Sequence, residues 1–154
     1  MLILMENRLE KAPIYKIWET EEEKKLSNSD LKKRYLTYAK SKFIRNPPVI
    51  VLNIEKNWQI ELSLRVISEW RIKSRTRERI LSIQLLDTML EGASFIKTIE
   101  DTKNTYGIDS VSYFENKCKI NGRFFKTNII TKSQKTLNRK YVYYYSATEL
   151  WVKK

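Results

Sequence analysis

The sequence of 154 residues contains no histidine, one cysteine, three glycines and three prolines. Its single cysteine, Cys118, cannot form an intrachain disulfide, and without histidine a cysteine-rich or histidine-rich metal site is excluded. The small number of glycines and prolines argues against long linkers. There is also no glycine-rich phosphate loop, nucleophile elbow or metal signature. We therefore expect no metal and no other cofactor.

Long apolar runs are missing as well. The N-terminal "MLILM" is shorter than a signal-peptide core and is followed at once by the charged "ENRLEK". No run approaches the roughly 20 apolar residues that span a bilayer. We therefore expect a cytoplasmic protein without a membrane partner.

Positive charge is present in excess. Thirty lysines and arginines stand against eighteen aspartates and glutamates, which gives a formal net charge of +12. Because histidine is absent, this charge does not change between about pH 5 and 8. It predicts an anionic partner, first nucleic acid, then an acidic protein or an anionic membrane surface. The alternative is that the charge serves solubility alone.

The first part of the chain has helical periodicity. Ser27 precedes Asp30 at the spacing of a capping box, and the apolar positions that follow on one helical face predict a helix over about residues 29–43. The glutamates at 21–23 and the two lysines after them are expected to form a solvated face. Two prolines at 47–48 end this part. Residues 1–48 are therefore predicted to be an N-terminal helical extension.

A hairpin and two helices are predicted next. Residues 49–62 indicate a hairpin, because "WQIEL" alternates strictly between apolar and polar positions. Ser63 fits an N-cap, and Thr76 is placed to cap a further helix. That helix carries an apolar core stripe closed by Gly92 at the C′ position; the stripe consists of Ile80, Ile83, Leu86, Met89 and Leu90.

The remaining chain has the pattern of strands. Four are predicted, in "ASFIKTIE", "SVSYFENKCKI", "RFFKTNIITK" and "KYVYYYSATELW", with a type I′ turn at Asn121 and Gly122. Helices followed by an antiparallel meander indicate an α+β class with helices packed on one face of the sheet. Residues 49–154 are predicted to form this α+β domain.

Side-chain alternation predicts the two faces of the meander. Lys117 and Lys119 lie on the face of the sheet opposite to that of Cys118. Lys126 and Asn128 lie on the same face as these lysines if Phe125 and Ile129 point inward. Tyr141, Tyr143 and Tyr145 share one face of the last strand, with Ser146 on the other unless a bulge shifts the register.

The expected result is an open surface of lysines interleaved with tyrosines. Such a surface suits RNA, because ammonium groups neutralise phosphates and a tyrosine ring stacks an unpaired base for roughly 1–3 kcal/mol. The alternative is that tyrosines are simply good strand residues. The predicted nucleic-acid-binding residues are Lys117, Lys119, Asn128, Tyr141, Arg139, Lys140, Arg75 and Arg77.

Several segments, in order, resemble a known toxin module. "WQIELSLRVISEW", "LLDTMLEGASFIKT", "SVSYFENKCKING", "FFKTNIITK" and "YVYYYSATEL" are similar to the C-terminal nuclease module of phage-associated and polymorphic toxins in the barnase/EndoU/RelE-like superfamily, over about residues 49–150. The resemblance implies an α+β fold and metal-independent RNA cleavage, in which the ribose 2′-hydroxyl attacks the phosphate. It also implies a cognate antitoxin or another acidic protein as a second partner.

Such cleavage needs a base, a cation for the phosphorane charge and an acid for the leaving oxygen. Related modules often end in Tyr-Tyr-His or Tyr-Asp-His, whereas this chain has Ser146 at that position, and serine is not a base at neutral pH. RelE-like toxins manage with arginine, lysine and tyrosine. The catalytic positions that the resemblance implies are Arg65, Glu69, Lys126, Tyr143, Tyr145 and Ser146.

Two readings of this set stay open. One is a ribonuclease without histidine, and the other is a non-catalytic factor that kept the binding face and binds nucleic acid or a protein. Arg65 is equally explained as a surface arginine, with Glu69 as its i,i+4 partner.

Overall fold

The computed structural model describes residues 15–45, 47–62, 67–68, 70–71, 74–100, 108–135 and 141–152, with residues 135 and 141–152 described by backbone alone. The helices are α1 (Glu21–Lys24), α2 (Asn28–Phe43), α3 (Arg77–Leu81) and α4 (Leu86–Glu91), with a 3₁₀ turn at Ser82–Leu85 between the last two. Residues 67–68 and 70–71 are also helical. The strands are β1 (Tyr15–Ile17), β2 (Val49–Asn53), β3 (Trp58–Leu62), β4 (Ser94–Glu100), β5 (Ser110–Ile120), β6 (Arg123–Lys135) and β7 (Tyr141–Val152).

One seven-stranded sheet contains these strands in the order β1-β5-β6-β7-β3-β2, and β4 also pairs with β5. The strands β4 to β7 form the predicted antiparallel meander. The pairs β1–β5 and β3–β7 are parallel, so the complete sheet is mixed. The α+β class predicted from the sequence is confirmed.

The predicted turns and caps follow from local chemistry. Ser27 accepts a hydrogen bond from the backbone N–H of Asp30 at 3.1 Å and starts α2. Thr76 does the same for Arg79 at 3.3 Å and starts α3. Asn121 and Gly122 have φ of 52° and 81°, the left-handed values that a type I′ turn requires. These three predictions are confirmed.

Gly92 plays a different part from the one predicted. It is the C-cap of α4 with φ of −95°, so it does not supply the left-handed conformation expected at C′. A Cβ at this position would clash with the Tyr15 hydroxyl oxygen. The absence of a side chain at Gly92 therefore leaves room for the side chain of Tyr15, the first residue of β1.

A single hydrophobic core joins the first part of the chain to the sheet. Ile17 of β1 and the buried face of α2 belong to the same cluster as the sheet residues Ile60, Phe114 and Ile129. The segment predicted as a helical extension thus contains a strand of the sheet, and among the described residues the core cluster includes side chains from both sides of residue 48.

Glu23 corrects the predicted solvated face of the acidic run. Glu21 and Glu22 are exposed, but Glu23 is buried, where the Tyr35 hydroxyl donates a hydrogen bond to its carboxylate and Gln84 Nε2 donates to that hydroxyl at 2.8 Å. Burial alone would raise the pKa of the Glu23 carboxyl, but the hydrogen bonds from Tyr35 and Thr20 outweigh it, and the pKa is lowered. The carboxylate is therefore part of the contact between α1 and α2.

Candidate nucleic-acid interface

The two faces of the β5–β6 hairpin differ sharply in burial. Phe114, Cys118 and Ile120 of β5 and Phe125 and Ile129 of β6 are buried against the helices. The alternating positions are exposed or half-buried, among them Lys117, Lys119, Lys126 and Asn128. The predicted assignment of these residues to an outer face is confirmed.

Four lysines from three strands form a continuous part of this outer face. Lys16 of β1 lies opposite Lys119 of β5 in register, and Lys117 lies opposite Lys126 of β6. We call these four residues the lysine surface. The Lys119 ammonium group lies 4.8 Å from the centre of the Phe124 ring, in a cation–π contact at one end of the surface.

Glu115 borders the lysine surface on the side away from the Asn121–Gly122 turn. Glu115 forms an ion pair with Lys126, and both side chains are partly exposed. Glu115 lies opposite Asn128 in register, and Asn128 lies opposite Glu149 of β7. A carboxylate and an ammonium group are therefore in direct contact where the basic area ends.

The register of β7 does not interleave the tyrosines with these lysines. Tyr143 lies between Ser133 of β6 and Ile60 of β3, which are both buried, and Tyr145 lies opposite buried Thr131. It is Tyr144 that pairs with half-buried positions, Lys132 and Glu61. In register, Tyr143 and Tyr145 are therefore paired with buried positions of β6 and not with Lys117, Lys119 or Lys126.

A bulge in β7 explains this difference. Ala147 lies opposite Ile130 and Tyr145 lies opposite Thr131, so Ser146 is an extra residue between two consecutive partners. Because side chains alternate with period two, one extra residue exchanges the faces of everything beyond it. Odd-numbered residues of β7 are consequently paired with odd-numbered residues of β6 before Ser146 and with even-numbered ones after it.

Two members of the predicted catalytic set, Lys126 and Tyr145, are also separated along the sheet. Lys126 lies opposite Trp151, whereas Tyr145 lies opposite Thr131, five residues further along β6. Five residues of extended strand correspond to about 17 Å. Lys126 is therefore not placed to act with Tyr143 or Tyr145.

Arg77, predicted to bind nucleic acid, links separate segments of the fold. Its Nε donates to the Glu19 carboxylate at 2.8 Å, and its guanidinium also donates to the backbone carbonyls of Leu26, at 2.9 Å, and Glu23. The Glu19 side chain is only 3% exposed and also accepts from Asn121 Nδ2 at 3.0 Å. Arg77 thus joins α3 to the segment after β1 and, through Glu19, to the β5–β6 turn.

The other predicted residues are placed as follows. Arg75 is exposed just before α3, and Tyr141 lies opposite Lys135 in register. Arg65, Glu69, Arg139 and Lys140 lie outside the described residues, as does the predicted N-cap Ser63.

Two charged residues of this interface were missed as site residues. Lys16 lies on a strand of three residues, which is too short for a periodic signal. Glu115 shares the parity of Lys117 and Lys119, so its face could be predicted, but its contact with Lys126 depends on the β5–β6 register.

Two further features bear on chemistry and location. Within the described ranges, no three histidine, cysteine, aspartate or glutamate side chains are grouped so as to hold a metal ion. None of the helices in the described part of the chain is both long and apolar enough to cross a membrane.

Comparison with known proteins gives one family. The family model of the large polyvalent protein-associated domain 3 matches residues 27–144, more than half of the chain, and the protein belongs to this family. The match starts at the N-cap of α2 and reaches into β7, so it includes α2 together with the sheet. No curated protein and no solved structure matches the chain. The resemblance to the barnase/EndoU/RelE-like superfamily stays a prediction.

Proposed function

We propose that this protein binds RNA through the lysine surface, in the cytosol. The observation that carries the proposal is the register of four lysines, in which Lys16 faces Lys119 and Lys117 faces Lys126 across neighbouring strands. Like charges directly opposite each other destabilise a sheet. A polyanion offsets that repulsion, and binding releases the counterions condensed on its backbone. A phosphate backbone therefore fits this surface better than an uncharged ligand does.

Salt dependence tests the proposal. For single-stranded RNA, each phosphate that is neutralised contributes about 0.7 to the slope of log K against log salt. Replacing Lys117, Lys119 and Lys126 by alanine should therefore reduce the slope by about 2 and weaken binding at low salt. The matched control replaces three exposed lysines of the α1–α2 region, Lys25, Lys33 and Lys40, and removes the same charge.

Three results would contradict the proposal. Equal effects of the two triple variants would mean that net charge alone attracts RNA. A wild-type slope in the first variant would move the site, for example to the basic segment 71–79. Absence of RNA binding would leave the surface to an acidic protein partner, such as a cognate antitoxin.

Metal-independent RNA cleavage is a second proposal, favoured by the contact between Glu115 and Lys126. Attack by a ribose 2′-hydroxyl requires a base and a cation beside the phosphate, and this pair offers both on the RNA-binding face. The Glu115 carboxylate takes the hydroxyl proton as the O2′–P bond forms, and Lys126 faces the phosphorane charge. The P–O5′ bond then breaks, water protonates the leaving O5′, and a 2′,3′-cyclic phosphate remains.

Incubation of several RNA classes in EDTA tests cleavage. We expect wild-type protein to leave cyclic phosphate ends, and Glu115→Gln to reduce the rate by roughly 10² or more while RNA affinity is retained. Tyr145→Phe is the matched control and should cleave normally, since Tyr145 is about 17 Å along the sheet from Lys126. Intact RNA after long incubation with micromolar wild-type protein would leave the non-catalytic binding factor as the function. A larger loss in Tyr145→Phe than in Glu115→Gln would place the chemistry at β7.

A further inference from the structure

Two large aromatic side chains are exposed at the turn end of the lysine surface. Trp18 follows β1 directly and is 64% exposed, and Phe124 near the start of β6 is 42% exposed. A Cβ at Gly122 would lie 3.2 Å from the Trp18 ring, so Trp18 packs beside the β5–β6 turn. Phe124 is only two positions further on and lies opposite Lys119. Both rings therefore belong to the same end of the sheet.

The backbone around Trp18 is held firmly. The Asn121 N–H donates to the carbonyl of Ile17 at 3.0 Å, and the Glu19 N–H donates to Asn121 Oδ1 at 2.8 Å. Both chain neighbours of Trp18 are thus fixed to the turn. Gly122 carries no side chain that would displace the ring, so the tryptophan is presented to solvent from a rigid position.

The surroundings of the two rings are cationic. Lys119 contacts the Phe124 ring, and Lys16 lies beside Lys119 in the neighbouring strand. The carboxylate nearest in the chain, Glu19, is buried and paired with Arg77. An uncharged apolar ligand would contact only the rings and a purely acidic one only the lysines, whereas an unpaired nucleotide contacts the rings with its base and the lysines with its phosphates.

We infer that Trp18 and Phe124 form a stacking platform that selects single-stranded RNA. This inference rests on the proposed RNA binding and names its substrate class. The bases of a duplex are already stacked on each other, whereas the bases of a single strand are free to stack on aromatic side chains. The platform supplies the stacking that Tyr141, Tyr143 and Tyr145 were predicted to supply.

Three fluorescently labelled probes of equal length separate stacking from charge: a single-stranded oligouridine, the same sugar–phosphate chain with abasic sites, and an RNA duplex. We expect wild-type protein to bind the oligouridine about tenfold or more tightly than the abasic chain. Trp18→Ala and Phe124→Ala should each lose about tenfold for the oligouridine, in line with stacking on one base, and remain within about twofold for the abasic chain. Trp18→Phe should lose less than Trp18→Ala, because it keeps a ring.

Tyr38→Ala is the control, because Tyr38 is an exposed aromatic residue on α2 and belongs neither to the lysine surface nor to the platform. It should not change affinity for any probe. Equal binding of oligouridine and abasic chain, unaffected by either alanine variant, would overturn the platform and leave the proposed function intact. Failure to bind any of the three probes would overturn both. A wild-type dimer that Trp18→Ala dissociates in sedimentation would assign the rings to a second copy of this chain and would also overturn the platform.

Discussion

Replacing Arg77 by methionine removes the guanidinium that links three separate segments but keeps an unbranched side chain of similar length. In the native protein Arg77 pairs with Glu19 and donates to the carbonyls of Leu26 and Glu23. The variant leaves the Glu19 carboxylate, 3% exposed, with Asn121 as a remaining side-chain donor. The expected effect is therefore on stability and not on RNA binding.

The magnitude follows from burial. Removing one partner of a buried ion pair costs about 3–5 kcal/mol, because the other charge stays buried without compensation. The Arg77 side chain is 23% exposed, so water partly screens the pair and the lower end of about 3 kcal/mol applies. For a chain of 154 residues this corresponds to a decrease of about 6–12 °C in Tm. In a double-mutant cycle, Glu19→Gln should recover at least about 1 kcal/mol of the loss.

Arg75→Met is the matched control, because Arg75 is exposed two positions before Arg77. It should change the free energy of unfolding by no more than about 0.5 kcal/mol. Urea and thermal unfolding would be measured for all variants, together with the salt slope of RNA binding. The reasoning is refuted if Arg77→Met unfolds like the wild type while its RNA affinity and salt slope fall, since Arg77 would then contact RNA as its position in a basic run suggested.

Three further predictions concern titration and thiol reactivity. Because the pKa of the Glu23 carboxyl is lowered, its ionised form stabilises the fold at pH values above the ordinary pKa of 4.5, and this contribution is lost as the pH falls through the folded-state pKa. Glu23→Gln should therefore flatten the acid side of a plot of unfolding free energy against pH. An unchanged acid side would contradict the buried contact with Tyr35. Burial alone would lower the pKa of Lys42, but hydrogen bonds to Tyr38 and Asp87 raise it. The contribution of Lys42 to the free energy of unfolding is therefore complete below the ordinary pKa of 10.5 and is lost as the pH rises through the folded-state pKa. Lys42→Met should remove that alkaline loss, measured by urea unfolding between about pH 9 and 12. Burial raises the pKa of the Cys118 thiol, so a thiol reagent should label the protein only in denaturant, and rapid labelling of the native state would show that the sheet opens at β5.

Local pattern predicted much of this fold. The Asn121–Gly122 turn, the alternation in β5 and β6 and the caps at Ser27 and Thr76 each depend on neighbours within a few residues. For that reason α2, the start of α3, the hairpins and the faces of β5 and β6 could be predicted from the sequence alone, whereas the 3₁₀ turn that separates α3 from α4 was not predicted.

The candidate site could not be predicted in full, because its contacts join distant parts of the chain. Arg77 looks like one cation in a basic run until Glu19, 58 positions away, is folded against it. The extra residue Ser146 has no signature within β7, yet it decides which residues of β7 lie opposite Thr131, Lys132 and Ser133 of β6. The exposed Trp18 is informative only beside Gly122, which the parallel pairing of β1 with β5 brings to it.

The position of β7 in the sheet has a consequence for synthesis on the ribosome. β7 lies between β6 and β3, although β3 is made roughly 80 residues before it. At 5–20 residues per second the β2–β3 hairpin therefore waits about 4–16 s for its partner with one edge of β3 unpaired, and the edge of β6 is unpaired only from the completion of Lys135 until β7 follows. Unpaired edges are where strands of other chains add. A nascent chain arrested before Tyr141 would hold two incomplete sheets, and the arrival of the last strand joins them into one.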